Sequence, residues 1–256
     1  RAKIPGCERL TRFDLDTASF DQASTGTRVR LFRTLLPSVT ELTGFTWNQA
    51  FEACFLEVRA PYLSNLQVWL DVDDEPVFSW KVLEAAPALV GIEVLSENQS
   101  LLGGAALQSI AAALRHGALG NLQELVMSRC IVSDGDVRGV LNALEDSGCA
   151  EWMTSMKFDE CDVDAEGAHA LATVLCREAY PALKKMILSG NDNITDAGVV
   201  ALADALLQTT QTLLTDIDLS DVGMGDEGIA ALALLVQQDR MRRLECLQFC
   251  GNDDIS

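Results

Sequence analysis

The chain has 256 residues, 38 of them acidic and 19 basic, so 19 − 38 gives a formal net charge of −19. That balance excludes a nucleic-acid-binding domain, which neutralises phosphates with clustered Lys and Arg, and it disfavours docking on anionic membranes. Apolar residues make up 48% of the chain but aromatics only 6%, so an aliphatic core is expected and disorder is not.

The longest uncharged run, 98–114, is broken by Gly103, Gly104 and several polar side chains, so no transmembrane helix is predicted. Eight cysteines (Cys7, Cys54, Cys130, Cys149, Cys161, Cys176, Cys246 and Cys250) contain no C-x-x-C pair, and His116 lies far from His169. A zinc site is therefore not expected, and no cofactor is. Scattered among leucines, the thiols read as reduced, which makes the cytoplasm the expected compartment.

In chain order, apolar triplets at relative positions 1, 4 and 6 recur along the sequence. Weak copies begin at Leu10 (Phe13, Leu15), Val39 (Leu42) and Leu63 (Leu66, Val68), and a clear one at Leu89 (Ile92, Val94). Then come Leu122, Leu125, Met127; Met153, Met156, Phe158; Leu183, Met186, Leu188; Leu214, Ile217, Leu219; and Leu244, Leu247, Phe249. The last five starts are 31, 30, 31 and 30 residues apart, and Leu89 precedes them by 33. Nine strands are predicted.

Fourteen residues after most of these starts stands a small or acidic residue (Gly103, Asp136, Gly167, Gly228, and Gly198 one place later), followed by apolar residues at helical spacing. Each unit thus reads as strand, loop, helix. Parallel strands need a crossover and a helix supplies it, so consecutive units stack into one sheet backed by helices.

The L-x-x-L-x-L-like triplets with D-x-G-x-x-A-L-A-x-A-L helical text resemble the leucine-rich repeat family, and the long helical half resembles its ribonuclease-inhibitor-like subclass. The resemblance implies an α/β solenoid, a horseshoe with a concave parallel sheet of about nine strands and convex helices. It covers nearly the whole chain as a single domain, 1–256, with irregular N-terminal repeats over 1–88 and regular ribonuclease-inhibitor-like repeats over 89–256. The segment 1–39 reads as a capping unit. No helix follows the last strand before Ser256, which points to a piece of a longer chain. The family's Asn or Cys, eight residues after the first Leu, falls here on Cys130, Cys161, Asn191 and Asn252, where the turn's backbone amides need a buried partner. Glu97 and Val222 depart from it.

With the triplet residues inward, positions 3, 5 and 7 face the concave side. They include Asp14, Asp16, Glu41, Phe45, Gln67, Trp69, Glu93, Leu95, Glu124, Val126, Lys157, Asp159, Lys185, Ile187, Asp216, Asp218 and Gln248. An apolar stripe of Phe45, Trp69, Leu95 and Val126 rimmed by carboxylates reads as a protein-binding groove for a basic or amphipathic protein partner. A register slip of one residue in the irregular repeats would instead bury Phe45 and Trp69. A second acidic line in the loops, from Asp134 to Asp254, reads for Asp196 and Asp226 as helix N-caps. The oxygens of Asn191, Asp192 and Asn193 lack the EF-hand spacing.

No histidine lies beside a nucleophile, and no phosphate-binding loop is present, so the chain is not expected to be an enzyme. Two other readings stand beside the recognition module. The family's Ran GTPase-activating proteins act in trans, for which the exposed candidate is Arg129. Alternatively, the chain is the sensor or scaffold arm of a larger receptor or complex.

Overall fold

The computed structural model describes residues 12–14, 25–46, 49–70, 79–100, 102–209, 213–238 and 242–252. Along them run nine strands: β1 (Arg12–Asp14), β2 (Glu41–Thr46), β3 (Asn65–Leu70), β4 (Gly91–Ser100), β5 (Glu124–Cys130), β6 (Ser155–Asp159), β7 (Lys185–Ile187), β8 (Asp216–Asp218) and β9 (Cys246–Gln248). Each pairs in parallel with its sequence neighbour, so the sheet runs from β1 to β9 in chain order without closing on itself. The crossovers hold helices α1 (Thr25–Leu35), α2 (Gln49–Glu57), α3 (Trp80–Leu83), α4 (Gly103–Arg115), α5 (Asp134–Ser147), α6 (Ala165–Cys176), α7 (Thr195–Gln208) and α8 (Asp226–Gln237).

Successive strands lie about 4.8 Å apart whereas packed helices need about 8–10 Å, so a stack of such units bends with the sheet on its inner side. One continuous core fills the space between the layers. Every triplet residue from Val39 to Leu219 is buried in it, together with the apolar stripes of the helices. In the last unit Leu244 and Leu247 are only half-buried, and Phe249 is 41% exposed. Leu10, Leu15 and most of the expected capping segment 1–39 lie outside the described residues.

The strand exits repeat as faithfully as the strands. Arg129 (φ 57°), Glu160 (φ 52°), Gly190 (φ 70°), Asp221 (φ 52°) and Gly251 (φ 70°) are all left-handed, each directly before the Asn/Cys position or its Val222 counterpart. That turn aims backbone amides inward, where the ladder receives them. Asn191 accepts the Cys161 and Val163 N–H groups through Oδ1 and donates through Nδ2 to the Phe158, Leu188 and Ser189 carbonyls. Asn252 does the same for Val222 and Met224, so the apolar departure at Val222 leaves its own amide satisfied by the next unit. Cys130 and Cys161 donate their thiols to carbonyls instead. Burial pushes the Cys130 thiol up to about 12 and raises that of Cys161 as well.

The 33-residue unit after Leu89 has a local cause. Leu95 pairs with Ser128 and Ser100 with Cys130, so five steps on β4 match two on β5 and three extra residues bulge from the sheet there. Ser100, not Glu97, therefore stands level with Cys130.

The capping of the helices is partly handed from unit to unit. Ser133 and Asp136 form a capping box on α5, and Asp164 caps α6 by accepting from Gly167 N–H. Asp196 does not cap its own helix: its Oδ1 accepts the Gly225 and Gly228 amides at the start of α8, at 2.8 and 2.7 Å. Asp226 is the first residue of α8, behind an N-cap at Gly225.

Candidate protein-binding surface

Strand register aligns the alternate side chains left out of the core into rows across the sheet. The position-3 row runs Arg12, Glu41, Asn65, Gly91, Glu124, Ser155, Lys185, Asp216, Cys246. The position-5 row runs Gln67, Glu93, Val126, Lys157, Ile187, Asp218, Gln248. In the position-7 row Trp69, Leu95, Ser128 and Asp159 are consecutive partners. Apart from the buried Gly91 and Ser128, the members of these rows from β3 to β9 are half-buried or exposed, unlike the core residues between them.

At β2 the rows break. A register shift between Leu42 and Phe45 sits at Gly44, whose φ of 73° suits a glycine. Counting along the sequence sets Phe45 level with Trp69, whereas the strand pairs Phe45 with Val68 and Thr46 with Trp69. Asp14 lies on β1 beside Thr43, and Asp16 falls outside the described residues, as do Asp253 and Asp254.

Hydrogen bonds and ion pairs tie the surface together. Gln67 donates to Glu93 Oε2 at 2.7 Å and accepts the Gly44 amide at 3.2 Å. Lys157 Nζ lies 3.5 Å from Asp159 Oδ2, and Arg12 lies 3.7 Å from Glu41. On the rim, the Arg129 guanidinium is held at 3.2 Å by Glu160 and is half exposed. Asn193 donates to Asp162 at 2.9 Å, and Asn191 turns away into the ladder, so the Asn191–Asp192–Asn193 oxygens do not converge. At Asp136 burial alone would raise the carboxyl, but bonds from Ser133 and Gln108 outweigh it and hold the group below its ordinary range.

With this geometry in place, comparison with known proteins identifies the repeat. A family model described as leucine-rich repeat matches residues 182–203 and 210–233. The fold is that of a leucine-rich-repeat solenoid. Human NACHT, LRR and PYD domains-containing protein 5 is 29% identical over 138 residues, which is 53% of this chain and 11% of that protein, so the chain spans a small part of that relative. A solved structure from Bacteroides fragilis superposes with a TM-score of 0.50 at 14% identity, covering 96% of this chain and 74% of that one, which is a likeness of fold. Among the described residues, no helix of the solenoid is long and apolar enough to cross a membrane, and no group of three or more His, Cys, Asp or Glu is placed to hold a metal ion.

Two features of the solenoid surface escaped the sequence. His116, at the end of α4, stacks on Trp80 with ring centroids 4.1 Å apart and planes 17° from parallel, joining the last irregular unit to the first regular one. No sequence spacing signals that contact. Trp152, the last residue of a 3₁₀ helix over Cys149–Trp152, and Tyr62, in a turn, are exposed by 61% and 64%, each three residues before a strand, a correspondence that aligning the units would have revealed.

Proposed function

We propose that this solenoid is a non-catalytic protein-recognition module whose concave sheet presents an acidic surface to a basic or amphipathic protein partner. The observation that carries this reading is the set of rows outside a core that packs without them, positions 3 and 5 continuous from β3 to β8 and position 7 from β3 to β6. Among the described residues no layer covers that sheet face, which leaves those side chains for a second molecule. Their composition supplies the chemistry: carboxylates at Glu93, Glu124, Asp159, Asp216 and Asp218 around Trp69, Leu95, Val126 and Ile187. The unit length of 30 or 31 residues and the helices of 12 to 14 residues in α5–α8 support the ribonuclease-inhibitor-like subclass and the division into irregular (1–88) and regular (89–256) repeats of one domain.

Affinity capture with the intact chain, repeated at rising salt, tests the reading. Retention of a basic protein that elutes as the Debye length shrinks is the expected result. Capture that ignores ionic strength, or that selects acidic proteins, contradicts it.

A second reading, that the chain is the arm of a larger receptor, draws on the human relative, whose name sets leucine-rich repeats beside NACHT and PYD domains. Immunodetection of the natural polypeptide separates the two. A mass far above 27.7 kDa supports the arm, and a polypeptide of that mass contradicts it.

A further inference from the structure

The carboxylates of the sheet face differ in how far the chain itself already satisfies them. Toward the C-terminal end, Asp159 faces Lys157 and accepts the Ser189 hydroxyl, Asp216 accepts the Thr215 hydroxyl at 2.6 Å with Lys185 beside it in register, and Asp218 accepts the Ser220 amide at 3.0 Å. On β4 and β5 the situation is different. Glu93 accepts a single neutral bond, from Gln67, and no cation pairs with Glu93 or with the exposed Glu124 among the described residues.

Gly91 has no side chain and is buried, and the Asn65 side chain leans over it from β3: a Cβ built there would lie 2.7 Å from Asn65 Oδ1 and 3.7 Å from Glu124 Oε2. The same three strands carry the apolar part of the face. Trp69 and Leu95 are register partners and half-buried, and Val126 sits diagonally from Leu95 on β5. Two strand spacings by four residues make this area about 10 Å by 13 Å, enough for one short segment.

We propose that β3–β5 is where the solenoid grips its partner, and that the gripped segment is basic and amphipathic. Its Lys or Arg lies against Glu93 and Glu124, and its apolar side chains lie on Trp69, Leu95 and Val126. This inference rests on the recognition reading above. Carboxylates with no cation beside them, next to a half-buried Trp, attract a cation flanked by apolar groups, whereas Asp159 already has Lys157 at 3.5 Å and Asp216 stands beside Lys185 in register, so the acids of β6–β8 return less on binding.

The test uses the intact chain and two synthetic peptides of equal positive charge, one with leucines along one helical face and one with serines in their place. Titration calorimetry at low salt should show binding of the leucine peptide. Glu93→Lys combined with Glu124→Lys should weaken it by about tenfold or more, Asp216→Lys combined with Asp218→Lys by about twofold, and the serine peptide should bind at least about tenfold more weakly. Glu93→Gln with Glu124→Gln, a milder pair, should move affinity in the same direction, and circular dichroism checks each fold. Equal losses from the two charge-reversed pairs, a greater loss from the Asp pair, or equal binding of both peptides overturns this inference and leaves the recognition reading standing. No binding of either peptide to the parent chain overturns both.

Discussion

At the scale of single residues, the turns rather than the strands hold the least replaceable groups. Asn191 is fully buried and makes five bonds to backbone, so Asn191→Ala strands two amides and several carbonyls away from water. Urea unfolding should register a loss of about 3 kcal/mol, and a loss below about 1 kcal/mol would contradict the ladder. The buried thiols make a prediction in pH. Burial raises the Cys130 pKa from its ordinary 9.0 to about 12, so above pH 9 the unfolded chain gives up a proton that the folded chain keeps. Stability on that account is fully present below about pH 9 and falls as pH rises towards 12. Cys130→Ala should flatten that part of the curve, and an unchanged slope would remove the assignment. The ladder residues were legible in the sequence, because Asn or Cys eight places after each Leu has no other common explanation. The left-handed residue before them was not, because Arg129, Glu160 and Asp221 occupy it where only Gly190 and Gly251 advertise it.

At the scale of elements, inside and outside were legible wherever the period was strict. Leu188 is buried at 1% exposure and Asp218 lies on the opposite face of the sheet. Leu188→Asp buries an unpaired carboxylate and should cost more than about 4 kcal/mol, whereas Asp218→Ala should stay within about 1 kcal/mol of the parent in the same unfolding experiment. The reverse order would exchange the two faces. Reading failed at β2, because the bulge at Gly44 inserts a step that a count of residues cannot see. It failed again at Asp196, where an acid at the start of one helix was read as that helix's own cap. Stacking brings each helix start against the next, and Asp196 Oδ1 reaches the α8 amides instead. Asp196→Ala should therefore lower stability by about 1 kcal/mol and raise amide exchange at Gly225 and Gly228 rather than at α7. Faster exchange confined to α7 would contradict the shared cap.

At the scale of the molecule, nine coils of similar sequence make one sheet because each unit has an apolar face that only its neighbours can cover. The rows left outside the described core are a consequence of that stacking, and the proposed preference for a basic partner rests on their acidity. The fold was legible because repetition multiplies a weak local signal. The candidate surface was legible only in outline, since which carboxylates are already bonded depends partly on neighbours about thirty residues away in the chain, as Glu160 is by Arg129 and Asp159 by Ser189. The most direct measurement is carbodiimide labelling of carboxylates, read by mass spectrometry, with and without the salt-eluted partner. Protection of Glu93 and Glu124 on the sheet face, with Glu166, Asp204 and Glu227 on the helical side still labelled, is the predicted result. Protection of the helical carboxylates with the sheet face still open would contradict the account.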